Sequence, residues 1–248
     1  MAPIRPGGYG GAMMSSFQCA ALAAAALMFT ASAAGAEKRY GLTSFETIEL
    51  NADVTVEIVT RAPVSAVASG PEDALDRLIV EARDGKLLIG ERRFAGDERK
   101  SKSPAPVTLR INAANLRSAT VSGAGSLTID ALKGARVTIG LRGPGQLNIK
   151  YVEADRLSVA MIGNGTMTLV GSARQANMTL SGAGTLDAGE LAVGELISDS
   201  EGAGDHRFRA IRTAAVTARG VGRTVVLGRP ACTVRNVGSG SVECGAEK

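Results

Sequence analysis

Three carboxylates lie close together in one segment of the chain and are its clearest candidates for chemistry: Asp199, Glu201 and Asp205. Paired carboxylates can serve as the acid and base of a glycoside hydrolase, and carboxylate oxygens also hold hard cations such as calcium. The same side chains can instead be solvated charges that balance nearby arginines, namely Arg207, Arg209 and Arg219. We favour solvated charge, so we predict no catalytic residue and no cofactor. The three carboxylates remain a weak candidate for a metal site.

His206 is the only histidine of the chain. A single imidazole cannot build a site that needs several histidines, so a His-rich metal site is not expected, and neither is acid–base chemistry based on histidine. His206 lies four residues after a glycine, at a position where other repeats carry Leu or Met. We therefore expect it to be packed in the core and hydrogen-bonded, without a catalytic role.

Cys232 and Cys244 stand six residues before and six residues after Gly238. We expect both to lie in inward-facing columns of the last repeat. If the chain is exported, its compartment is oxidising and favours a disulfide between them. Two buried free thiols are the alternative.

The segment that must position these residues is a repeat between residues 116 and 244. A Gly-x-Gly motif recurs in it seven times, with first glycines 18 to 20 residues apart. The glycine pairs are Gly123 and Gly125, Gly143 and Gly145, Gly163 and Gly165, Gly182 and Gly184, Gly202 and Gly204, Gly220 and Gly222, and Gly238 and Gly240. Because glycine reaches positive φ without strain, these pairs are predicted to be structural turns. Self-similarity at this period is typical of a solenoid.

Apolar residues alternate on both sides of each Gly-x-Gly. Four residues after the first glycine come Leu127, Leu147, Met167 and Leu186. Alternation with period two puts such residues on one face of a strand. The pattern predicts an all-β, parallel β-helix in which each coil of about 18–20 residues forms one rung with two or three short strands. The crossover preference favours right-handed coiling.

The segment before the repeats has other features. Residues 1–36 are predicted to be a signal peptide, with an apolar core and the small residues Ala34 and Ala36 at its end. Residues 37–248 would form one domain, with a cap and first rungs over 37–106 and the Gly-x-Gly rungs over 107–248. A short capping helix is predicted over 71–78, a tight hairpin at Asp84-Gly85, and an exposed loop over 91–106. No transmembrane segment is expected after signal cleavage.

Composition narrows the possible partners. The net charge of +4 is mild and the basic residues are not interleaved with aromatics, so we expect no nucleic-acid partner. Aromatic residues make up only 3% of the chain, which weakly disfavours sugar binding by ring stacking. Adhesion through backbone, Ser/Thr ladders and charge stays open.

The order of these features resembles one bacterial family, the "Putative auto-transporter adhesin, head GIN domain" family. The resemblance rests on the opening strands at 45–58, the helix at 71–78, the segment from Asp84 to Ile89, and rungs with Ser-Gly-Ala-Gly-x-Leu. It covers about residues 45–245. It implies an exported β-helical domain related in shape to pectin-lyase-like folds, with adhesion as its assigned role. It brings no catalytic residues.

We therefore expect a non-enzymatic, exported domain of the periplasm or cell surface that binds an envelope protein or a glycan, in adhesion or envelope organisation. One alternative is a carbohydrate-active enzyme, a lyase or hydrolase, on a pectin-lyase-like coil. A second alternative is a structural unit that self-associates.

Overall fold

The computed structural model describes residues 36–92 and 107–246, and all structural statements below concern those residues. The predicted signal peptide (1–36), apart from its last residue, and most of the predicted loop (91–106) lie outside them. The strands are β1 (Ala36–Tyr40), β2 (Thr47–Asn51), β3 (Thr55–Thr60), β4 (Ser65–Gly70), β5 (Leu78–Arg83), β6 (Lys86–Glu91), β7 (Thr108–Ala113), β8 (Ser118–Ser122), β9 (Ser126–Ile129), β10 (Leu132–Arg142), β11 (Gln146–Gly163), β12 (Thr166–Gly182), β13 (Thr185–Gly202), β14 (Asp205–Gly220), β15 (Arg223–Leu227), β16 (Ala231–Gly238) and β17 (Ser241–Ala246). One helix, α1 (Glu72–Arg77), lies between β4 and β5.

The strands stack as a β-solenoid of about 6 turns. From β10 to β14 each strand pairs in parallel with the next, so that most residues lie above their equivalents in the previous rung, apart from short register shifts near the bends. The inward columns are aliphatic: Leu127, Leu147, Met167 and Leu186 are each almost fully buried. The predicted all-β parallel β-helix is confirmed, and its right-handed coiling stays a prediction.

A rung in the middle of the coil is one long strand and not two or three short ones. In β11, buried and exposed residues alternate except at two exposed doublets, Lys150-Tyr151 and Asp155-Arg156. Each doublet breaks the alternation of period two, so the strand bends there and its next residues again alternate toward the interior. The two bends and the Gly-x-Gly turn divide the rung into three sides.

The Gly-x-Gly turns stack on one another, and we call this stack the glycine corner. The first glycine of every copy has a φ between +99° and +136°. The second glycine is needed for a different reason: a Cβ on Gly145 would lie 2.7 Å from the carbonyl oxygen of Gly123 in the previous rung. Backbone from the previous rung therefore approaches Gly145 too closely for a side chain at that position.

At the N-terminal end, the strands do not stack in the order in which they follow one another along the chain. Strands β2 and β3 form a rung that pairs with β8 and β9 on one side and with β6 and β7 on the other, all in parallel. The hairpin β5–β6 turns at Asp84 and Gly85, both with positive φ, and α1 buries Leu75 in the core. The short helix and the hairpin agree with the sequence prediction. No helix in the described part of the chain is long and apolar enough to cross a membrane.

Candidate functional site

The three candidate carboxylates lie on the outer surface around the glycine corner, on β13 and β14. Asp199 accepts two hydrogen bonds from Arg219, with Nη1–Oδ1 and Nη2–Oδ2 distances of 2.8 and 3.3 Å. Glu201 and Asp205 are exposed and lie opposite Arg219 and Arg223 on the next rung. Within residues 36–92 and 107–246, no group of three or more His, Cys, Asp or Glu side chains is arranged to hold a metal. The arrangement is one of exposed carboxylates facing arginines.

His206 is buried inside the coil between Leu186 and Thr224 of the adjacent rungs. Its ring lies 6.4 Å from the ring of Phe208, centroid to centroid. Its Nδ1 atom is buried without a hydrogen-bond partner among the described residues, so the expected hydrogen bond of this atom is missing. Burial lowers the pKa of His206 below its ordinary value of 6.5, and the nearby Asp205 acts in the opposite direction. At neutral pH the imidazole is therefore uncharged, and its side chain is buried.

The interior around His206 is more polar than the rest of the core. Ser198, Ser200 and Thr224 are buried there, whereas the equivalent positions of earlier rungs carry Met178, Leu180 and Leu186. Ser200 and Thr224 line a cavity of about 10 Å³ next to His206, together with Ala218 and Gly222. A space of this size holds at most one water molecule, so it is no pocket for a substrate.

Cys232 and Cys244 form a disulfide that joins β16 to β17. Cys232 continues the column of the buried Ala214, and Cys244 continues that of the buried Val226. Cys232 is nevertheless exposed and Cys244 is half-buried, because no described rung covers them. The disulfide closes the last rung across the open end of the coil.

The outer surface is organised by the register of the rungs. Opposite charges lie directly across adjacent parallel strands in five register pairs of the described residues: Glu57 with Arg110, Lys133 with Glu153, Asp187 with Arg207, Glu201 with Arg219, and Asp205 with Arg223. Such cross-strand pairs each stabilise a sheet by ~0.2–1 kcal/mol. Charge matching between rungs is therefore the general pattern of this surface.

One bend of the coil departs from that pattern, and we call it the arginine corner. It lies at the second bend of the middle rungs and consists of Arg136, Asp155, Arg156, Arg174, Glu195 and Arg212. Arg136 lies directly opposite Arg156. Arg174 pairs with Asp155 at 3.5 Å and Arg212 pairs with Glu195 at 2.9 Å. Together these side chains line a groove of about 430 Å³ that also includes Gln175.

Glu195 is the most constrained carboxylate of the arginine corner. Gln175 donates a hydrogen bond to it from Nε2 at 2.8 Å, and Arg212 donates another at 2.9 Å. These two hydrogen bonds lower the pKa of Glu195. Glu195 is thus ionised and hydrogen-bonded to Gln175 and Arg212. It forms no ion pair with Arg136 or Arg156.

Sequence reasoning did not identify the arginine corner. A signal was present, because Arg136 and Arg156 are 20 residues apart, the same spacing as Gly123 and Gly143. Aligning all columns of the repeat, and not only the apolar and glycine columns, would have placed the two arginines opposite one another.

Comparison with known proteins identifies the family. The model of the family described as "Putative auto-transporter adhesin, head GIN domain" matches residues 44–230. This chain belongs to that family. The head GIN match begins just before β2 and ends at Pro230, so it includes the arginine corner and excludes the disulfide-bearing strands β16 and β17. Among proteins with curated descriptions, none matches the chain.

Several solved structures share the fold of this head GIN domain. A "putative adhesin" from Bacteroides fragilis is 21% identical, with a TM-score of 0.76 over 86% of this chain and 97% of its own. A "putative lipid binding protein" from Parabacteroides distasonis is 18% identical, with a TM-score of 0.64 over 87% and 98%. A "putative adhesin" from Parabacteroides merdae is 17% identical, with a TM-score of 0.64 over 88% and 97%. At these identities the likeness concerns the fold.

Proposed function

We propose that this chain is an exported, non-enzymatic interaction domain that binds a protein or glycan of the cell envelope or cell surface through its outward-facing side chains. The observation that carries the proposal is the in-register stacking of those side chains on successive rungs. A solenoid presents side chains of successive rungs at a fixed spacing over an extended surface, which suits an extended partner.

The names of family and fold relatives support a binding role. The family description and two of the solved structures refer to adhesins, and a third structure is named for lipid binding. Both names describe binding. An exported or surface location agrees with the adhesin description and with the predicted signal peptide at 1–36.

The arrangement of the titratable side chains supports a non-enzymatic role. Asp199 is engaged by Arg219, and Glu201 and Asp205 face arginines of the next rung. His206 is buried, and burial lowers its pKa, so it is uncharged at neutral pH. A carboxylate pair for glycoside hydrolysis needs one acid with a raised pKa, which burial usually supplies, and these carboxylates are not buried.

The test is binding of the purified protein to envelope fractions of its host, with cytosolic fractions as the control. Saturable binding to envelope fractions alone is the expected result. Periodate treatment of the fractions would remove a glycan partner, and protease treatment would remove a protein partner. Equal binding to both fractions, or no saturable binding, would contradict the proposal.

The enzymatic alternative is tested with the same material. We expect no degradation products after incubation with a panel of glycans. Product release that requires Asp199, Glu201 or Asp205 would replace the interaction domain with a carbohydrate-active enzyme.

A second candidate function, self-association, is favoured by the last rung. Strand β16 pairs with β14 along one edge, and no described strand is registered along its other edge. Its side chains are all exposed, including Val234 at 44% and Val237 at 50%. Open strand edges pair readily with another chain, so a second copy could join at this end. Light scattering should then show a mass that rises with concentration and falls when Val234 is replaced by Lys.

A further inference from the structure

The arginine corner contains the one like-charge register pair between parallel strands of the described residues. Five other register pairs between parallel strands place opposite charges across from each other, whereas Arg136 lies opposite Arg156. Like charges directly opposite one another destabilise a sheet. A departure from the local rule that brings no gain in stability is typical of a functional position.

No described carboxylate neutralises this pair. Asp155 lies next to Arg156 in sequence but forms its ion pair with Arg174 of the following rung. Glu195 is held by Gln175 and Arg212. Four arginines and two carboxylates therefore share the corner, and the positive charge in excess is concentrated on Arg136 and Arg156.

The two arginines are also accessible. Both are exposed, and they line the groove of about 430 Å³ together with Arg174 and Arg212. Parallel strands lie about 4.8 Å apart, so the backbone positions of Arg136 and Arg156 repeat at that spacing along the coil. The groove thus offers guanidinium groups in a row to a partner that lies along the coil axis.

We propose that the arginine corner binds an acidic polysaccharide, with Arg136 and Arg156 each holding a carboxylate of the chain. This proposal rests on the proposed function and names its partner. A guanidinium group binds a carboxylate through two parallel hydrogen bonds, and a polyuronate supplies carboxylates in a regular series. The bound polymer also removes the repulsion between the two arginines.

Other polyanions fit the corner less well. Single-stranded nucleic acids need aromatic side chains on which bases stack, and the corner has none among its lining residues. Peripheral membrane binding combines basic residues with apolar side chains that enter the lipid, and the lining here is polar apart from Ala135.

The experiment measures the Kd of the purified protein for polygalacturonate by isothermal titration calorimetry. Arg136→Gln/Arg156→Gln is expected to weaken binding by about tenfold or more, since each variant position loses a charge-assisted contact. The matched control is Arg142→Gln/Arg235→Gln, which removes the same charge from two other exposed arginines. The control should bind like the wild type.

Additional arms separate the sources of negative charge. Neutral dextran should not bind, and vesicles of phosphatidylglycerol should bind more weakly than polygalacturonate. Absence of polygalacturonate binding, equal weakening in both double variants, or tighter binding to the vesicles would overturn the proposal.

The failure of this proposal is distinguishable from failure of the proposed function. If Arg136→Gln/Arg156→Gln still binds envelope fractions as the wild type does, the interaction domain stands and the arginine corner is not its site. If the wild type binds no envelope fraction, the proposed function itself is wrong.

Discussion

Every middle rung of the coil turns once at the glycine corner and once at the arginine corner, and the two corners make different demands on the sequence. At the glycine corner adjacent backbones touch, so the same residue type returns in every rung. At the arginine corner side chains point to solvent and change from Arg to Gln to Glu between rungs. Positions that keep the same residue type in every rung are therefore those that the fold requires. Positions that vary between rungs, as at the arginine corner, are free to bind a partner.

The glycine corner should give the largest loss of stability. Gly182 has a φ of +120°, and a Cβ there would lie 2.2 Å from the carbonyl oxygen of Gly163. We expect Gly182→Ala to lower the free energy of unfolding by about 4 kcal/mol, from backbone strain and from the displaced rung together. Chemical denaturation followed by circular dichroism measures the loss.

Gly123→Ala is the matched control for that measurement. Gly123 also has a positive φ, +99°, but a Cβ there would meet no atom within 4 Å. Its loss should be about 2 kcal/mol, from backbone strain alone. Equal losses from the two variants would show that contact between rungs does not fix the glycine corner.

Removing the disulfide should lower the stability of the protein without changing its binding of polygalacturonate. Cys232→Ser/Cys244→Ser opens a loop of sequence separation 12, and we expect the free energy of unfolding to fall by about 2–3 kcal/mol. The wild type measured under reducing conditions should show the same loss. The Kd for polygalacturonate should not change, because neither cysteine contributes to the arginine corner. A parallel loss of binding would mean that any destabilisation of the coil weakens the site.

The buried His206, next to the glycine corner, should make the stability of the protein depend on pH. Because burial lowers the pKa of His206 in the folded state, the unfolded chain binds more protons near pH 6, and stability must fall as pH falls. We expect the free energy of unfolding to be constant above the ordinary pKa of 6.5 and to decrease below it. His206→Leu should flatten this decrease. An unchanged pH profile in His206→Leu would assign the effect to other groups.

The arginine corner should give the smallest effect on stability and one of opposite sign. Arg136→Gln/Arg156→Gln removes the like-charge pair, so the free energy of unfolding should rise by about 0.5 kcal/mol. Arg110→Gln is the contrasting variant, because it removes the opposite charge facing Glu57 and should lower stability by about 0.5 kcal/mol. If the double variant is destabilised as much as Arg110→Gln, the arginine corner has a structural role.

The sequence predicted the parts of the fold that repeat. The spacing of the glycines and the alternation around them identify the inward columns of Leu147 and Met167 correctly, because both patterns are direct consequences of backbone geometry. The hairpin at Asp84-Gly85 was equally predictable, since an Asp-Gly pair between two apolar runs favours a tight turn.

The order of the N-terminal strands and the arginine corner were not predicted. Alternation in β2 and β3 shows that they are strands, but it does not specify that their rung lies between β6–β7 and β8–β9. Likewise, the pairing of Arg136 with Arg156 depends on the exact register of two rungs. Alternation with period two identifies which face of a strand a residue lies on. Which residues lie opposite one another on adjacent rungs follows only from aligning every position of the repeat.

The proposal that the arginine corner is the binding site is tested most directly by melting temperatures. The measurement is the shift that polygalacturonate causes in four forms of the protein. A ligand that binds only the folded state raises its stability in proportion to the logarithm of its concentration over Kd. The wild type, Arg142→Gln/Arg235→Gln and Cys232→Ser/Cys244→Ser should all show a rise, each from its own starting temperature. Arg136→Gln/Arg156→Gln should show a much smaller rise at the same polygalacturonate concentration, because its Kd is about tenfold or more higher. An equal rise in Arg136→Gln/Arg156→Gln, or no rise in the wild type, would contradict the claim that the arginine corner is the binding site.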